Sequence, residues 1–180
     1  SSTIRTGGSA TCVCCDNIGK FFWVGDSKGS VYAFVIHLTP GKIFKGKRTI
    51  LMDSVPVTSV EVRALISRGV SENWLLADLR ANAACLYRVC AKDGSLQFYR
   101  KFFTQHVRHN LHSHFSPLIS SGGMACIVCP SEDGNVYLFD FNSDGRKYML
   151  KVSHESGPVI DCCLNHDESC VLFGDAAVRI

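Results

Sequence analysis

The sequence predicts an all-β protein made of repeated antiparallel hairpins, and three observations lead to this fold class. Short apolar runs rich in Val, Ile, Tyr and Phe alternate with turns that contain Gly, Asp or Asn. No segment keeps the 3.6-residue periodicity of a helix. The clearest hairpin, residues 124–141, joins two apolar runs through the turn 131–134, where Gly134 supplies the positive φ that a tight turn requires. Similar units recur along the chain.

Length and composition are those of one domain with a hydrophobic core. The chain has 180 residues, of which 46% are hydrophobic, and a formal net charge of +3. No apolar run reaches the roughly 18 residues of a membrane-spanning helix. Residues 1–10 lack the charged and apolar regions of a signal peptide. We therefore expect no membrane partner, and the small net charge does not by itself indicate nucleic acid.

The ten cysteines fall almost entirely inside apolar, strand-like runs. Disulfide scaffolds are short secreted chains that lack a core, whereas buried cysteine packs as a small hydrophobe. Residues three apart on a strand point to opposite faces, so Cys126 and Cys129 are expected to pack and not to share a metal or a disulfide. The cysteines are interpreted as reduced core thiols, and the protein is expected in the nucleus or the cytoplasm.

Four units follow one another, at about residues 10–52, 55–104, 113–153 and 157–180. The first has apolar strands at 11–15, 20–25 and 30–37 and a lysine-rich edge strand at 42–50. The second has strands at 57–62, 74–77, 83–90 and 96–103, with a loose connection over 64–73. The third is the hairpin 124–141 with flanking strands at 115–120 and 147–152. The fourth has strands near 157–164 and 169–174 and is incomplete.

An aspartate near the second turn marks the repeat: Asp26, Asp78, Asp133 and Asp175 lie 52, 55 and 42 residues apart. Four short strands every 40–50 residues or so are typical of β-propeller blades. The sequence therefore predicts about three and a half blades of a propeller. Isolated blades would leave two apolar faces open, so the chain is predicted to be part of a longer protein.

Several short motifs resemble those of the WD-repeat family. Phe139-Asp140 stands where a Trp-Asp pair ends the third strand, Asp133-Gly134 matches the tight turn, and Ser153-His154 stands for the Gly-His pair before the next unit. The resemblance implies a propeller of about seven blades and a non-catalytic scaffold that binds proteins or peptides, without cofactors or small-molecule substrates.

The resemblance also implies roles for individual residues. The turn and network positions are Asp26, Gly29, Asp133, Gly134, His154 and Asp175. Loops before each first strand and after each second strand are expected to share one face, which binds partners. The exposed candidates on that face are Lys28, Arg80, His112, His114, Asp133 and His154.

Two other clusters invite chemical hypotheses. The histidines His106, His109, His112 and His114 could bind a metal, but they lie where the family has a structural histidine that bonds the turn aspartate, so no metal is expected. The basic run Lys42, Lys45, Lys47 and Arg48 suggests an alternative function as a nucleic-acid-binding module, although lysines also protect an edge strand. No phosphate loop, G-x-S-x-G or H-E-x-x-H motif is present, so no enzymatic activity is expected.

Overall fold

Strands make up the regular structure of the chain. The computed structural model describes residues 5–37, 39, 41–67, 70–117, 126–142, 146–152 and 157–176. None of these residues is α-helical, which confirms the all-β prediction. Within the same ranges, no helix is long and apolar enough to cross a membrane.

Fourteen strands are described, in four antiparallel sheets. The first sheet contains β1 (Ala10–Cys15), β2 (Phe21–Asp26), β3 (Ser30–His37) and β4 (Lys42–Ile50); the second contains β5 (Val57–Ser67), β6 (Val70–Leu79), β7 (Ala83–Val89) and β8 (Leu96–Phe103); the third contains β9 (His114–Phe115), β10 (Cys126–Pro130), β11 (Asn135–Asp140) and β12 (Arg146–Lys151); the fourth contains β13 (Val159–Leu164) and β14 (Val171–Asp175). In each sheet the strands lie in chain order. Four-stranded antiparallel units were predicted, and the first three sheets confirm them.

The loose connection predicted at 64–73 is wrong. Strands β5 and β6 instead form one long hairpin, paired continuously from Val60–Ala77 to Ser67–Val70. Ile66 and Val70 at the tip of the hairpin are exposed, whereas Leu65 and Trp74, further in, are buried. Burial of these two side chains accounts for the extra length.

The sheets pack face to face in chain order, and the second sheet is buried on both faces. In β6, Leu75 and Ala77 contact the first sheet, whereas Trp74 and Leu76 contact the third. The alternation of a β-strand sends successive side chains to opposite faces. A smaller cluster around Val128 and Val159 joins the third sheet to the fourth. The continuous apolar runs of the sequence therefore come from strands buried on both sides.

The interpretation of the cysteines as core thiols is correct for only part of the set. All ten are free thiols. Cys85, Cys126, Cys129 and Cys162 are buried, and Cys12 and Cys14 are half-buried. Burial raises the pKa of Cys85 to about 11 and that of Cys129 well above its usual value. The other four, Cys15, Cys90, Cys163 and Cys170, are exposed, because each lies at a strand end or on an uncovered sheet face.

The turn that joins each second strand to the third needs a positive φ at its third position. Gly29 (φ 80°) and Gly134 (φ 79°) supply it in the first and third sheets. In the second sheet, where the sequence lacks a turn glycine, Asn82 adopts φ 58°. Asparagine is among the few other residues that tolerate this region. The turn geometry is thus kept without glycine.

We predict that Gly29→Ala destabilises the fold far more than Gly19→Ala. Both glycines have positive φ, so each alanine costs about 1–2 kcal/mol of backbone strain. A Cβ at Gly29 would also lie 1.7 Å from the Met52 carbonyl oxygen, whereas a Cβ at Gly19 would meet nothing within 4 Å. Urea denaturation should give a loss of more than about 3 kcal/mol for Gly29→Ala. Equal losses for the two variants would contradict the backbone clash.

Candidate functional site

One backbone hydrogen bond recurs in all four sheets and brings the predicted loops to one face. A residue at the start of the turn, one or two positions after each second strand, donates its N–H to the carbonyl of the connection that leads to the first strand of the same sheet. The pairs are Ser27 to Ser9 (2.9 Å), Arg80 to Pro56 (3.1 Å), Glu132 to Gln105 (2.8 Å) and Ala176 to Pro158 (2.8 Å). We call this surface, formed by those connections and turns, the loop face.

Asp26 organises the turn of the first sheet. Its Oδ1 accepts the N–H groups of Lys28 (3.0 Å) and Ser30 (2.8 Å), and its Oδ2 accepts the Gly8 N–H (3.1 Å). The side chain is completely buried. Its carboxylate therefore ties the turn to the connection before β1. Asp175, at the end of β14, pairs with Val159 just as Asp26 pairs with Ala10, so it lies in the equivalent position.

The sequence register of the turn aspartates is wrong for Asp78 and Asp133. Leu79, not Asp78, pairs with the first residue of its neighbouring strand, so Asp78 precedes the turn position by one residue. Asp133 comes two residues after Ser131, whose carbonyl accepts the turn bond from Gly134 as that of Asp26 does from Gly29. The spacing between the aspartates could not show this shift, because it does not define which residues pair across neighbouring strands.

Asp133 and Gly134 still lie within a tight turn. Asp133 is exposed, accepting the Asn135 N–H at 3.1 Å and the Tyr137 hydroxyl at 2.5 Å. Lys28 occupies the same turn position in the first sheet and is exposed as well. Arg80, in the second sheet, is half-buried and donates from Nη2 to Asn110 Oδ1 at 2.5 Å.

A serine, not a histidine, bonds the buried Asp78. Ser113 donates its N–H (2.6 Å) and its hydroxyl (2.7 Å) to this carboxylate, and Ser59 donates its hydroxyl (2.9 Å). Burial raises the pKa of Asp78, while these hydrogen bonds favour the ionised form. The predicted histidine-to-aspartate contact is therefore replaced here by a serine contact. Among the motif residues, Ser153 and His154 lie outside the described residues.

His106 is a buried anchor. Its Nε2 accepts the Leu111 N–H at 3.3 Å, so the proton is on Nδ1. The His106 N–H donates to Asn82 Oδ1, and its carbonyl accepts the Asn82 N–H. Burial lowers the pKa of His106 to about 4, so the ring is neutral at pH 7.

His112 and His114 belong to a chain of hydrogen-bonded side chains that spans three sheets. His114 Nδ1 lies 2.9 Å from Glu61 Oε2 and its Nε2 lies 3.0 Å from Asp161 Oδ1, while His112 Nδ1 lies 3.1 Å from Asp161 Oδ2. The hydrogen bond to Glu61, reinforced by that to Asp161, raises the pKa of His114 to about 9. Both ring nitrogens of His114 are therefore occupied within the chain.

This chain of groups borders a groove of about 480 Å³ between the first strands of the sheets, lined by β1, β5 and the segment around His112–His114. Within the described part of the chain, no three His, Cys, Asp or Glu side chains are arranged to hold a metal ion. In this geometry the histidines bind carboxylates, and they act as links between sheets.

Glu132 holds the segment before β9. Its Oε1 accepts three successive N–H groups, those of Val107 (3.0 Å), Arg108 (2.6 Å) and His109 (2.7 Å). Desolvation acts to raise the pKa of Glu132, but these bonds outweigh it and lower the pKa. This contact has no signal in the sequence, since nothing local marks a glutamate whose partners lie 23 to 25 residues away.

The basic run of β4 is largely engaged within the chain. Lys47 pairs with Asp93 at 2.9 Å, Arg48 donates to Ser30 Oγ at 3.0 Å, and Lys45 lies 4.7 Å from the Tyr32 ring centre. Lys42 is exposed. These contacts favour the interpretation of the run as an edge strand over a nucleic-acid surface. No protein-family model matches the chain, so the resemblance to WD repeats stays a prediction.

We predict that acid destabilises the fold through His106. Its folded pKa of about 4 is below the unfolded value near 6.5, so its stabilising contribution is complete above pH 6.5 and is lost as pH falls towards 4. His106→Gln should remove on the order of 2 kcal/mol of this dependence. Unfolding free energies measured by urea titration between pH 4 and pH 7 should show it; an unchanged slope in the variant would contradict the assignment.

We predict the opposite dependence for His114. Its folded pKa of about 9 is above the unfolded value, so its stabilising contribution is complete below pH 6.5 and is lost as pH rises through 9. His114→Gln should flatten this alkaline limb and leave the acid limb of His106 unchanged. The same titrations, extended to pH 10, make each variant the control for the other. Loss of both limbs in either variant would indicate a general structural defect.

Proposed function

We propose that the four sheets are consecutive blades of a WD-repeat-type β-propeller of about seven blades. Two observations support it: the sheets follow one another in chain order with apolar faces in contact, and the same turn-to-connection hydrogen bond recurs in each. Repeat architectures stack equivalent units in this way. A closed ring would also cover Leu172 and Cys163, which are exposed on the outer face of the fourth sheet.

The function that we propose is that of a non-catalytic scaffold for proteins or peptides in the reducing environment of the nucleus or cytoplasm. The observation that best supports this function is the geometry of the loop face. The recurring backbone bonds and the buried Asp26 fix this face, while Lys28 and Asp133 project from equivalent turns into solvent. A rigid frame that presents exposed polar side chains on loops is suited to binding partners.

We predict that the 180-residue chain alone associates through its uncovered sheet faces. Leu172 is 63% exposed, and a propeller would bury it against another blade. Light scattering coupled to size-exclusion chromatography should show association that decreases in Leu172→Lys. A stable monomer at micromolar concentration would count against the propeller.

We predict that partner binding depends on the loop face. Lys28→Glu combined with Asp133→Lys keeps the net charge and should abolish the capture of at least one protein from a cell extract. Lys92→Glu, in the exposed turn between β7 and β8 at the opposite end of the second sheet, is the control for a charge change away from the loop face. Quantitative mass spectrometry of the captured proteins provides the measurement. An identical set of proteins for all three chains would reject the loop face as the binding surface.

A further inference from the structure

The connection that leads to the third sheet is longer than the equivalent connections. In the other sheets, the residue that accepts the turn N–H directly precedes the first strand, as Pro56 precedes Val57. In the third sheet the acceptor is Gln105, and residues 106–113 intervene before His114. This 106–113 loop therefore lies on the loop face as an insertion with its own structure.

The 106–113 loop is held rigidly from below. His106 and Leu111 are fully buried and bonded to each other, and Glu132 fixes the backbone between them. Asn110 bonds Arg80 from the neighbouring turn. A binding segment ordered before its partner arrives avoids most of the entropy cost of association.

The side chains that project from this rigid backbone are basic and apolar. Val107 is 53% exposed and Arg108 is exposed. Arg108 makes no side-chain hydrogen bond or ion pair with any residue that the structure describes. Glu132, which accepts the backbone N–H of Arg108, is directed into the loop backbone, where three N–H groups bind it. Arg108 and Arg80 thus lie around a loop whose own carboxylate is already bonded.

We propose that the 106–113 loop, together with Arg80, binds an acidic segment of a partner protein; this rests on the proposed scaffold function. Arginine binds carboxylates through a planar fork of N–H donors and holds them more specifically than lysine. Val107, beside Arg108, adds an apolar contact. Charge complementarity therefore selects a segment with aspartate or glutamate next to a small apolar side chain.

The direct test measures the binding of a fluorescent (Glu-Gly)₄ peptide by fluorescence anisotropy in low salt, with (Gln-Gly)₄ as the neutral control peptide. The acidic peptide should bind measurably more tightly than the neutral one. Arg108→Glu should weaken that binding at least tenfold, whereas Lys92→Glu, which makes the same charge change at the opposite end of the sheet, should change it less than twofold. Equal weakening by both variants would reduce the effect to net charge and overturn the proposal.

Two variants of Glu132 distinguish the effect of loop order on peptide binding from the effect of charge. Glu132→Ala and Glu132→Gln both make the chain more positive by one unit, so a purely electrostatic site would bind the acidic peptide more tightly in both. The Gln variant keeps an oxygen acceptor for the three N–H groups, but the Ala variant releases the loop. We expect Glu132→Ala to weaken binding several-fold and Glu132→Gln to retain it. Tighter binding by the Ala variant would overturn the role of the ordered loop.

Further measurements distinguish failure of the acidic-segment proposal from failure of the proposed scaffold function. Tighter binding of a 16-base-pair DNA duplex than of (Glu-Gly)₄, with the same dependence on Arg108, would overturn the choice of an acidic peptide. Failure of (Glu-Gly)₄ to bind, with protein capture still dependent on Lys28 and Asp133, would reject this inference and leave the scaffold function intact. Absence of both peptide binding and protein capture that depends on Lys28 and Asp133 would reject the scaffold function as well.

Discussion

The backbone hydrogen bond between each second-strand turn and the connection before the first strand is the constraint on which the loop face depends. It requires a turn that closes in three residues with a positive φ at the last, which Gly29, Asn82 and Gly134 provide. In the first sheet the carbonyl of that residue then accepts the N–H of Leu51, and in the second that of Asn82 accepts the N–H of Thr104. These two turns are thus bonded on both sides to connections, which ties their loops to the sheets.

Buried carboxylates complete this framework and thereby decide which charges remain free. Asp26 and Asp78 are enclosed by N–H and hydroxyl donors, and Glu132 by three N–H groups. Such bonds offset the cost of removing an ionised group from water. Because these acids serve the backbone, Lys28 and Arg108 are left as exposed cations of the loop face. The exposed positive charge of Lys28 and Arg108 therefore follows from the hydrogen bonds that form the turns.

The sequence was sufficient to predict the fold class and most strands, because buried apolar runs and turn glycines are local signals. It could not reveal pairing. A bulge at Thr58 follows the first residue of β5, as a bulge does in β1 and β13, and Asp78 pairs with Ser59, at the position that Gly25 occupies in the first sheet. A count of residues between aspartates does not reveal that Asp78 lies one residue before the turn position, which Leu79 occupies. Likewise, Ser113 in place of histidine, and Glu132 beneath Val107, depend on contacts between segments far apart in the chain.

The 106–113 loop shows how an insertion is accommodated without loss of order. Leu111 is fully buried, and the hydroxyl of Thr58, on the bulge of β5, lies 3.2 Å from its carbonyl and 3.4 Å from the His106 ring. The bulged residue of β5 therefore carries the hydroxyl that contacts both His106 and Leu111. Because Thr58 and Asn82 belong to the second sheet and Glu132 to the third, the loop bridges both. Its conformation is determined by sheet packing, so the entropy of ordering it is lost during folding and not on binding.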